Sequence, residues 1–202
     1  VLFDLDGTLV DTAPEIADAV NDTLTALGHA PVMQQQVDDW IGHGTRELLI
    51  KALAQALGTS PAAVRASASF GPVEVEFGQH YQARCGTRSH LYPKVRETLE
   101  VLRAAGVKLV VVTNKEGRYT QTVLDVHGLT PLFDRVISGD TLAVKKPNPA
   151  AIDDCLLRFG VARERALFVG DSSIDVATAR NAGVTVWALP YGYNMGEPIE
   201  AC

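Results

Sequence analysis

The sequence predicts an α/β protein with a doubly wound, mainly parallel sheet and an inserted α-helical cap. Three observations support this fold class. Short apolar runs lack polar/apolar alternation, helical patterns separate most of these runs, and one connection of about a hundred residues stands where a crossover of about a dozen would suffice. Together they predict a sheet core that is interrupted once by a group of helices.

Five apolar runs rich in β-branched residues are the predicted strands. Because the runs are continuous, each strand is expected to be buried on both faces, as in a parallel sheet. They are Val1 to Leu5, Lys108 to Val112, Arg135 to Ile137, Ala166 to Val169 and Val184 to Leu189.

Helical patterns lie between the later strands, and each is followed closely by a glycine. Glycine readily adopts the left-handed conformation of a helix C-cap, so these positions predict helix ends. The predicted helices are Val95 to Ala105, Glu116 to His127, Ala150 to Phe159 and Asp175 to Ala182. Strand and helix alternation of this kind predicts right-handed crossovers.

The long connection is itself predicted to be helical. Apolar residues recur at helical spacing from Ile16 to Leu27 and from Leu48 to Leu57, and Pro61 to Arg84 adds a third and a fourth segment. We therefore predict a helical cap domain of residues 13–89.

The remaining residues, 1–12 and 90–202, are predicted to form the α/β core domain. Two short linkers join it to the cap, near Val10 to Pro14 and Thr87 to Pro93. Because the linkers lie side by side, they are expected to form a hinge.

Composition excludes several classes of protein. With 202 residues, of which 47% are hydrophobic, the chain can form a substantial core without disulfides. A net charge of −6 and scattered basic residues argue against binding to nucleic acid or to an anionic membrane. Three widely spaced cysteines and no apolar run of about 20 residues are typical of a cytoplasmic protein. Both a monomer and a homodimer remain open.

Polar residues follow four of the predicted strands where each apolar run stops. In a doubly wound sheet, ligands bind outside the carboxyl ends of the strands. Each group alone is equally explained by turns and helix caps, but together they include four carboxylates, which repel one another unless a cation lies among them. Oxygen ligands without His or Cys favour a hard ion such as Mg²⁺. The groups are Asp4 and Asp6; Thr113, Asn114 and Lys115; Lys145 and Lys146; and Asp171, Ser172 and Asp175.

Four short motifs occur on these elements in a fixed order: DLDGTL, VVTN, KPNP and VGDSSID. In this order they resemble the motifs of the haloacid dehalogenase-like superfamily of phosphohydrolases. SGDT at Ser138 to Thr141, KKPNPA and ALPYGYNMGEP are most similar to bacterial phosphoglycolate phosphatases. The resemblance implies a Mg²⁺-dependent phosphomonoester hydrolase for a small phosphorylated metabolite, most of all 2-phosphoglycolate.

The resemblance also implies residue roles. Asp4 is expected to attack phosphorus and form an aspartyl-phosphate, and Asp6 to act as the proton donor and acceptor. Lys146 is favoured over Lys145 as the catalytic cation, because the family lysine directly precedes proline. The expected metal site comprises Asp4, the Asp6 carbonyl, Asp171 and Asp175, and the expected phosphate ligands are Gly7, Thr113 and Asn114.

The glycine-rich stretch from Ile41 to Arg46 is the candidate for substrate recognition. Arg46 or His43 is expected to read a substrate carboxylate, and Gly44 is a further candidate for substrate binding, although an ordinary turn between helices explains the stretch equally well. One departure from the family concerns the second linker, since relatives usually have glycine where this chain has Lys94.

Two other functions fit parts of the pattern. A phosphomutase similar to β-phosphoglucomutase would share the aspartyl-phosphate but transfer the phosphoryl group back to a sugar phosphate. A non-catalytic binding protein would be expected to have lost one of the residues Asp4, Asp6, Lys146 and Asp171, and all four are present.

Overall fold

The computed structural model of the protein describes residues 1–67 and 70–202. Its strands form a five-stranded sheet and a separate two-stranded ribbon. In chain order the strands are β1 (Leu2–Phe3), β2 (Val10–Asp11), β3 (His90–Leu91), β4 (Val110–Val112), β5 (Arg135–Ile137), β6 (Leu167–Gly170) and β7 (Thr185–Ala188).

The central sheet confirms the predicted fold class. Its strand order is β5-β4-β1-β6-β7, and every neighbouring pair is parallel. In β1, Leu2 is in register with Val110 on one side and with Phe168 on the other. Because the strand order reverses at β1, the carboxyl ends of β1, β4 and β6 border the crevice in which such sheets bind ligands.

Helices cover the sheet close to the predicted positions. Those that follow β3 in the chain are α6 (Val95–Ala104), α7 (Gly117–Val126), α8 (Ala150–Phe159) and α9 (Ser173–Ala182), where α1 to α5 denote the helices between β2 and β3. Just before α6, Lys94 has a φ of 67°. This left-handed conformation is strained for a residue with a Cβ atom, which is the physical reason why glycine suits this position.

The long connection is helical, as predicted. It contains α1 (Ala13–Ala26), α2 (Gln34–Asp38), α3 (Thr45–Leu57), α4 (Pro61–Arg65) and α5 (Phe70–Arg84), which we call the inserted helices. The sequence pattern does not predict α2, because a helix of five residues with one buried side chain, Val37, is too short to show a helical period. Positions 68 and 69 of the predicted third and fourth segments lie outside the described residues.

The two linkers pair with each other. Val10 and Asp11 of β2 lie opposite Leu91 and His90 of β3 in an antiparallel ribbon. The buried Glu15 side chain fastens the second linker to α1, because its Oε2 accepts hydrogen bonds from the backbone N–H groups of residues 86, 88 and 89 at 2.9, 3.2 and 3.0 Å.

The hydrophobic core is continuous between the sheet and the inserted helices. One cluster of buried residues runs from Phe3 of β1 through Ile16 of α1 and Leu48 of α3 to Tyr119 of α7. The division into domains at residues 13–89 therefore stays a prediction. No helix among the described residues has the length and hydropathy needed to cross a membrane.

Candidate active site

A small pocket lies at the carboxyl ends of β1, β4 and β6, with a cavity volume of about 50 Å³. The structure brings together here residues from all four polar groups singled out in the sequence. The core side of the pocket comprises Asp4, Asp6, Thr113, Asn114, Lys115, Lys146, Asp171, Ser172 and Tyr193; the inserted side comprises Ile16, Ile41, Gly42, Gly44, Thr45, Leu48, Phe77 and Tyr81.

Lys146 is the centre of an ion-pair network on the core side. Its Nζ lies 2.8 Å from Asp4 Oδ1 and 2.7 Å from Asp175 Oδ1, and its side chain is only 3% exposed. Burial raises the pKa of the Asp4 carboxyl to about 7, even though Lys146 lowers it. The neighbouring Lys145 is exposed. The structure therefore favours Lys146 over Lys145, as does the position of Lys146 directly before Pro147.

Asp175 is fully buried, and hydrogen bonds occupy both of its carboxylate oxygens. Oδ1 pairs with Lys146, while Oδ2 accepts from the Asp171 N–H at 3.2 Å and from the N–H and Oγ of Ser172 at 3.0 and 2.7 Å. Together with the bond from Asp175 N–H to Ser172 Oγ, this forms a capping box at the start of α9. Asp175 thus holds both Lys146 and the loop that carries Asp171.

Asp171 is oriented by contacts from two distant parts of the chain. Its Oδ1 accepts a hydrogen bond from Thr8 Oγ1 at 2.6 Å, and its Oδ2 accepts one from the Tyr193 N–H at 2.6 Å. Burial, followed by Asp4 and Asp175, raises the pKa of the Asp171 carboxyl well above its usual value. Gly7 lies so close that a Cβ atom there would be 2.2 Å from Asp171 Oδ2, and its φ is +84°. The Gly7 N–H donates to the Val10 carbonyl at 2.9 Å, so it is already engaged.

The donor set fits a hard divalent cation. Asp4, Asp171 and Asp175 each offer a carboxylate oxygen, and these atoms all lie within 4.8 Å of one another. Among the described residues, Lys146 is the cation paired with this cluster, at Asp4 and Asp175, so three ionised carboxylates and one ammonium group would leave a net charge of −2. Oxygen donors and a charge deficit of this size are suited to an ion such as Mg²⁺.

Asp6 lies outside this cluster and has its own cation. Its Oδ1 accepts hydrogen bonds from Lys115 Nζ at 2.9 Å and from Thr12 Oγ1 at 2.6 Å. Lys115 Nζ also lies 4.9 Å from the centre of the Tyr81 ring. Burial lowers the pKa of Lys115, but Asp6 and the other nearby acids raise it by more, so the net shift is upward. The predicted Asp6 carbonyl ligand stays a prediction.

Thr113 and Asn114 both line the pocket, and the Asn114 side chain has a structural partner. Its Oδ1 accepts from the Lys146 N–H at 2.9 Å, and its Nδ2 donates to the Lys146 carbonyl at 3.1 Å and to the Gly42 carbonyl at 3.2 Å. Asn114 therefore positions the Lys146 backbone and links the sheet to the loop before α3. Phosphate binding by these residues stays a prediction.

The three residues predicted to recognise the substrate lie in different surroundings. Gly44 lines the pocket, whereas His43 and Arg46 are exposed and are not part of the described lining. Arg46 instead forms an ion pair with Glu74, with an N–O distance of 2.8 Å, and lies over the Phe70 ring. Its side chain is 52% exposed, so its role as a carboxylate ligand stays a prediction.

Sequence reasoning gave no role to three residues that shape the site. Lys115 and Thr12 hold Asp6, and Tyr193 contacts Asp171 through its backbone. The available signal was the position of Lys115 directly after Asn114 at the end of β4. Thr12 and Tyr193 lacked such a signal, because each acts through a tertiary contact.

The chain belongs to the haloacid dehalogenase-like hydrolase family, whose family model matches residues 1–189. The resemblance drawn from the four motifs is thereby confirmed.

Similar proteins narrow the class of hydrolase. The chain is 40% identical over 202 residues to a phosphoglycolate phosphatase of Vibrio parahaemolyticus, covering 100% of this chain and 87% of the relative. It is 41% identical to the phosphoglycolate phosphatase of Vibrio cholerae, covering 98% and 87%. A solved structure described as a predicted phosphoglycolate phosphatase from Haemophilus somnus is similar with a TM-score of 0.92 and 37% identity, covering 99% of this chain and 88% of that one. These relatives confirm the predicted enzyme class, a phosphoric monoester hydrolase.

Proposed function

We propose that this protein hydrolyses 2-phosphoglycolate to glycolate and phosphate through an aspartyl-phosphate on Asp4. The observation that carries the proposal is the pairing of two acids with two separate cations in one pocket. Asp4 is paired with Lys146, and Asp6 is paired with Lys115. A nucleophile and a proton carrier with different partners are what a two-step phosphoryl transfer needs.

In the first step, a carboxylate oxygen of Asp4 attacks phosphorus while the bond from phosphorus to the ester oxygen breaks. Asp6 gives its proton to that oxygen, and glycolate leaves. In the second step, Asp6 takes a proton from water, the water oxygen attacks phosphorus, and the bond from phosphorus to Asp4 breaks. Phosphate is released and both acids return to their starting states. Lys115 and Thr12 keep Asp6 in place through both steps.

The proposal includes a bound Mg²⁺, which would supply positive charge to the phosphate and to the attacking carboxylate. Asp4, Asp171 and the Asp6 carbonyl would hold the ion, with Asp175 supporting Asp171. The three-carboxylate cluster and its excess negative charge support this part of the proposal. Lys146 holds Asp4 within the cluster without needing the ion.

The inserted helices are proposed to act as a cap of residues 13–89 over the pocket. Their side of the pocket is mainly apolar, which favours exclusion of water during phosphoryl transfer. Asn114 and Thr45 support a closed arrangement, because they bridge the two sides through Gly42 and Glu116.

The proposed substrate rests on the names of the relatives and on the size of the pocket. Each of the relatives described above is a phosphoglycolate phosphatase or is described as a predicted one. The small cavity suits a short ester. We also propose that the partner is a free small metabolite and that the protein is cytoplasmic. The net charge of −6 agrees with both, because it does not favour binding to nucleic acid or to an anionic membrane.

The test is phosphate release from 2-phosphoglycolate, measured with and without Mg²⁺, by the unmodified protein and by Asp4→Asn. We expect Mg²⁺-dependent turnover that Asp4→Asn lowers by about 10³-fold or more, because the amide is not a nucleophile. Asp11→Asn, on the same segment but outside the pocket lining, is the matched control. Normal turnover by Asp4→Asn would exclude the mechanism, and conversion of a hexose 1-phosphate to its 6-phosphate without free phosphate would favour a phosphomutase.

A further inference from the structure

Two cations line the described pocket, and they differ in how fully their hydrogen-bonding capacity is used. Lys146 Nζ lies between two carboxylates, at 2.8 Å from Asp4 and 2.7 Å from Asp175. Lys115 Nζ makes one hydrogen bond among the described residues, to Asp6. A lysine ammonium group has three N–H donors. Lys115 therefore retains donors for a ligand in the pocket.

Lys115 lies close to where the group attached to the ester oxygen of the substrate is expected. It lies 2.9 Å from the carboxylate of Asp6, the residue that protonates the ester oxygen in the proposed reaction. A group joined to that oxygen through a single methylene must lie next to Asp6 as well. In 2-phosphoglycolate this group is the carboxylate, and with the ester oxygen at Asp6 it comes within reach of the Lys115 ammonium.

The surroundings of Lys115 strengthen such a contact. Its side chain is 5% exposed, and the Tyr81 ring lies 4.9 Å from Nζ. Phe77 stacks on Tyr81 at a centroid distance of 5.3 Å and also lines the pocket. In such a poorly solvated site, a charge-assisted hydrogen bond discriminates strongly against an analogue that lacks the charged group.

The other basic residues near the pocket are less suited to this task. Arg46 is held by Glu74 and is half exposed, and Lys145 is exposed. His43 is exposed and does not belong to the described lining. Because these side chains are exposed, a salt bridge from any of them to a substrate carboxylate would be weakened by the surrounding water.

We propose that Lys115 is the specificity-determining residue that binds a second anionic group of the substrate, a carboxylate on the carbon bearing the phosphate ester. The inference rests on the proposed phosphatase activity and deepens it, because it names the chemical class of the preferred substrates as phosphate esters of short 2-hydroxy acids. It assigns to the end of β4 the recognition that the sequence pattern suggested for the Ile41 to Arg46 loop.

The experiment compares kcat/KM for 2-phosphoglycolate with kcat/KM for ethyl phosphate, which has a methyl group in place of the carboxylate. Both are measured with Mg²⁺ for the unmodified protein, Lys115→Met, Lys115→Arg, Lys145→Met and Arg46→Gln. The ratio of the two kcat/KM values does not depend on the fraction of folded enzyme, nor on damage to Asp6 that slows both esters equally. It therefore stays informative even if Lys115→Met is poorly stable.

We expect the unmodified protein to prefer 2-phosphoglycolate and Lys115→Met to lower the ratio by about 30-fold, equivalent to about 2 kcal/mol. Lys115→Arg should recover part of the preference, and Lys145→Met, the same substitution at an exposed lysine, should leave it unchanged. Binding of 3-phosphonopropionate, a non-hydrolysable analogue, should weaken in Lys115→Met by a similar factor, whereas binding of propylphosphonate should not.

Three outcomes would overturn the inference while leaving the proposed function intact. They are a ratio in Lys115→Met within about twofold of the unmodified value, an unmodified protein that hydrolyses both esters equally well, and a loss of preference in Arg46→Gln but not in Lys115→Met. If the unmodified protein released phosphate from neither ester, that result would instead contradict the proposed function itself.

Discussion

The two sides of the pocket are built from different kinds of residue. The core side carries three carboxylates and two lysines, and all of these groups are held by ion pairs or hydrogen bonds before any ligand arrives. The inserted side presents mainly aliphatic and aromatic carbon, with glycines and Thr45 in the loop before α3.

This difference indicates that the two sides of the pocket have different functions. Most of the charges that must act on phosphorus directly follow the ends of three parallel strands, whereas Lys146 comes from the long loop between β5 and α8 and is held in place by Asp4 and Asp175. The apolar inserted helices lower the polarity above those charges and shape the space for the rest of the substrate. Substitutions on the two sides should therefore affect different kinetic constants.

Among the substitutions that compare the two sides, Lys146→Met on the core side should have the largest effect. It removes the cation between Asp4 and Asp175 and leaves two buried carboxylates facing each other. We expect the free energy of unfolding to fall by about 3–5 kcal/mol and kcat to fall by at least about 100-fold. Urea unfolding and phosphate release measure the two effects.

Lys145→Met is the control for that variant, since it alters the adjacent, exposed lysine. A change of less than about 0.5 kcal/mol is expected there. If Lys146→Met kept kcat within about twofold of the unmodified value, the core side would not be the source of the chemistry.

On the inserted side, Leu48→Ala should damage packing more than chemistry. Leu48 is buried in α3 and lines the pocket, so truncation should lower the free energy of unfolding by about 2–5 kcal/mol. KM should rise several-fold because the pocket no longer fits the substrate, while kcat stays within about threefold. Leu57→Ala, at a half-exposed leucine of the same helix, is the packing control. A fall in kcat as large as that of Lys146→Met would remove the distinction between the two sides.

The crowding of carboxylates predicts a pH dependence that is specific to the core side. Burial raises the pKa of Asp4 from 3.8 to about 7, so the folded protein binds this proton more tightly than the unfolded chain does. The stabilisation is complete below pH 3.8 and is lost as the pH rises through 7. Between pH 5 and pH 7 the loss amounts to roughly 2 kcal/mol without a metal.

Thermal unfolding from pH 5 to pH 8 tests this expectation. Asp4→Asn should reduce the pH slope, because the amide does not titrate. Mg²⁺ should stabilise the unmodified protein more at pH 8 than at pH 5, since it binds the ionised carboxylates. An equal Mg²⁺ effect at both pH values would argue against a metal at this cluster.

The smallest effect is expected where the two sides are joined. Tyr193 Oη accepts hydrogen bonds from the N–H groups of Thr12 and Ala13 at 3.1 and 3.0 Å and donates to Asp11. Tyr193→Phe removes these bonds but keeps the backbone contact to Asp171, so the free energy of unfolding should fall by about 1–2 kcal/mol, as measured by urea unfolding. Tyr191→Phe, which removes a single bond to the Thr8 carbonyl, should have a smaller effect. An equal effect of both variants would mean that the Tyr193 hydroxyl has no special part in holding the first linker.

Much of the fold was predictable because its signals are local. The ends of α8 coincide with the predicted ends, and Gly160 and Gly183 adopt the left-handed C-cap conformation after α8 and α9. The helix α2 was missed because five residues carry too little periodicity. For the site, Asp4 and Lys146 were recognisable as residues at strand ends or within a motif, whereas the partners of Asp6 were not.

The sequence by itself determined the order of the five sheet strands and the helices between the later ones, the presence of an inserted helical segment and the residue types available at the sheet edge. These follow from hydrophobic periodicity, glycine placement and motif order, all of which act over a few neighbouring residues. Only the tertiary structure decided which charges meet: Lys115 with Asp6, Lys146 with both Asp4 and Asp175, and Arg46 with Glu74 instead of the pocket. The physical reason is that electrostatic pairing depends on distance and burial. In a chain whose contacts join residues up to 183 positions apart, these quantities arise only when the sheet and the inserted helices have packed together.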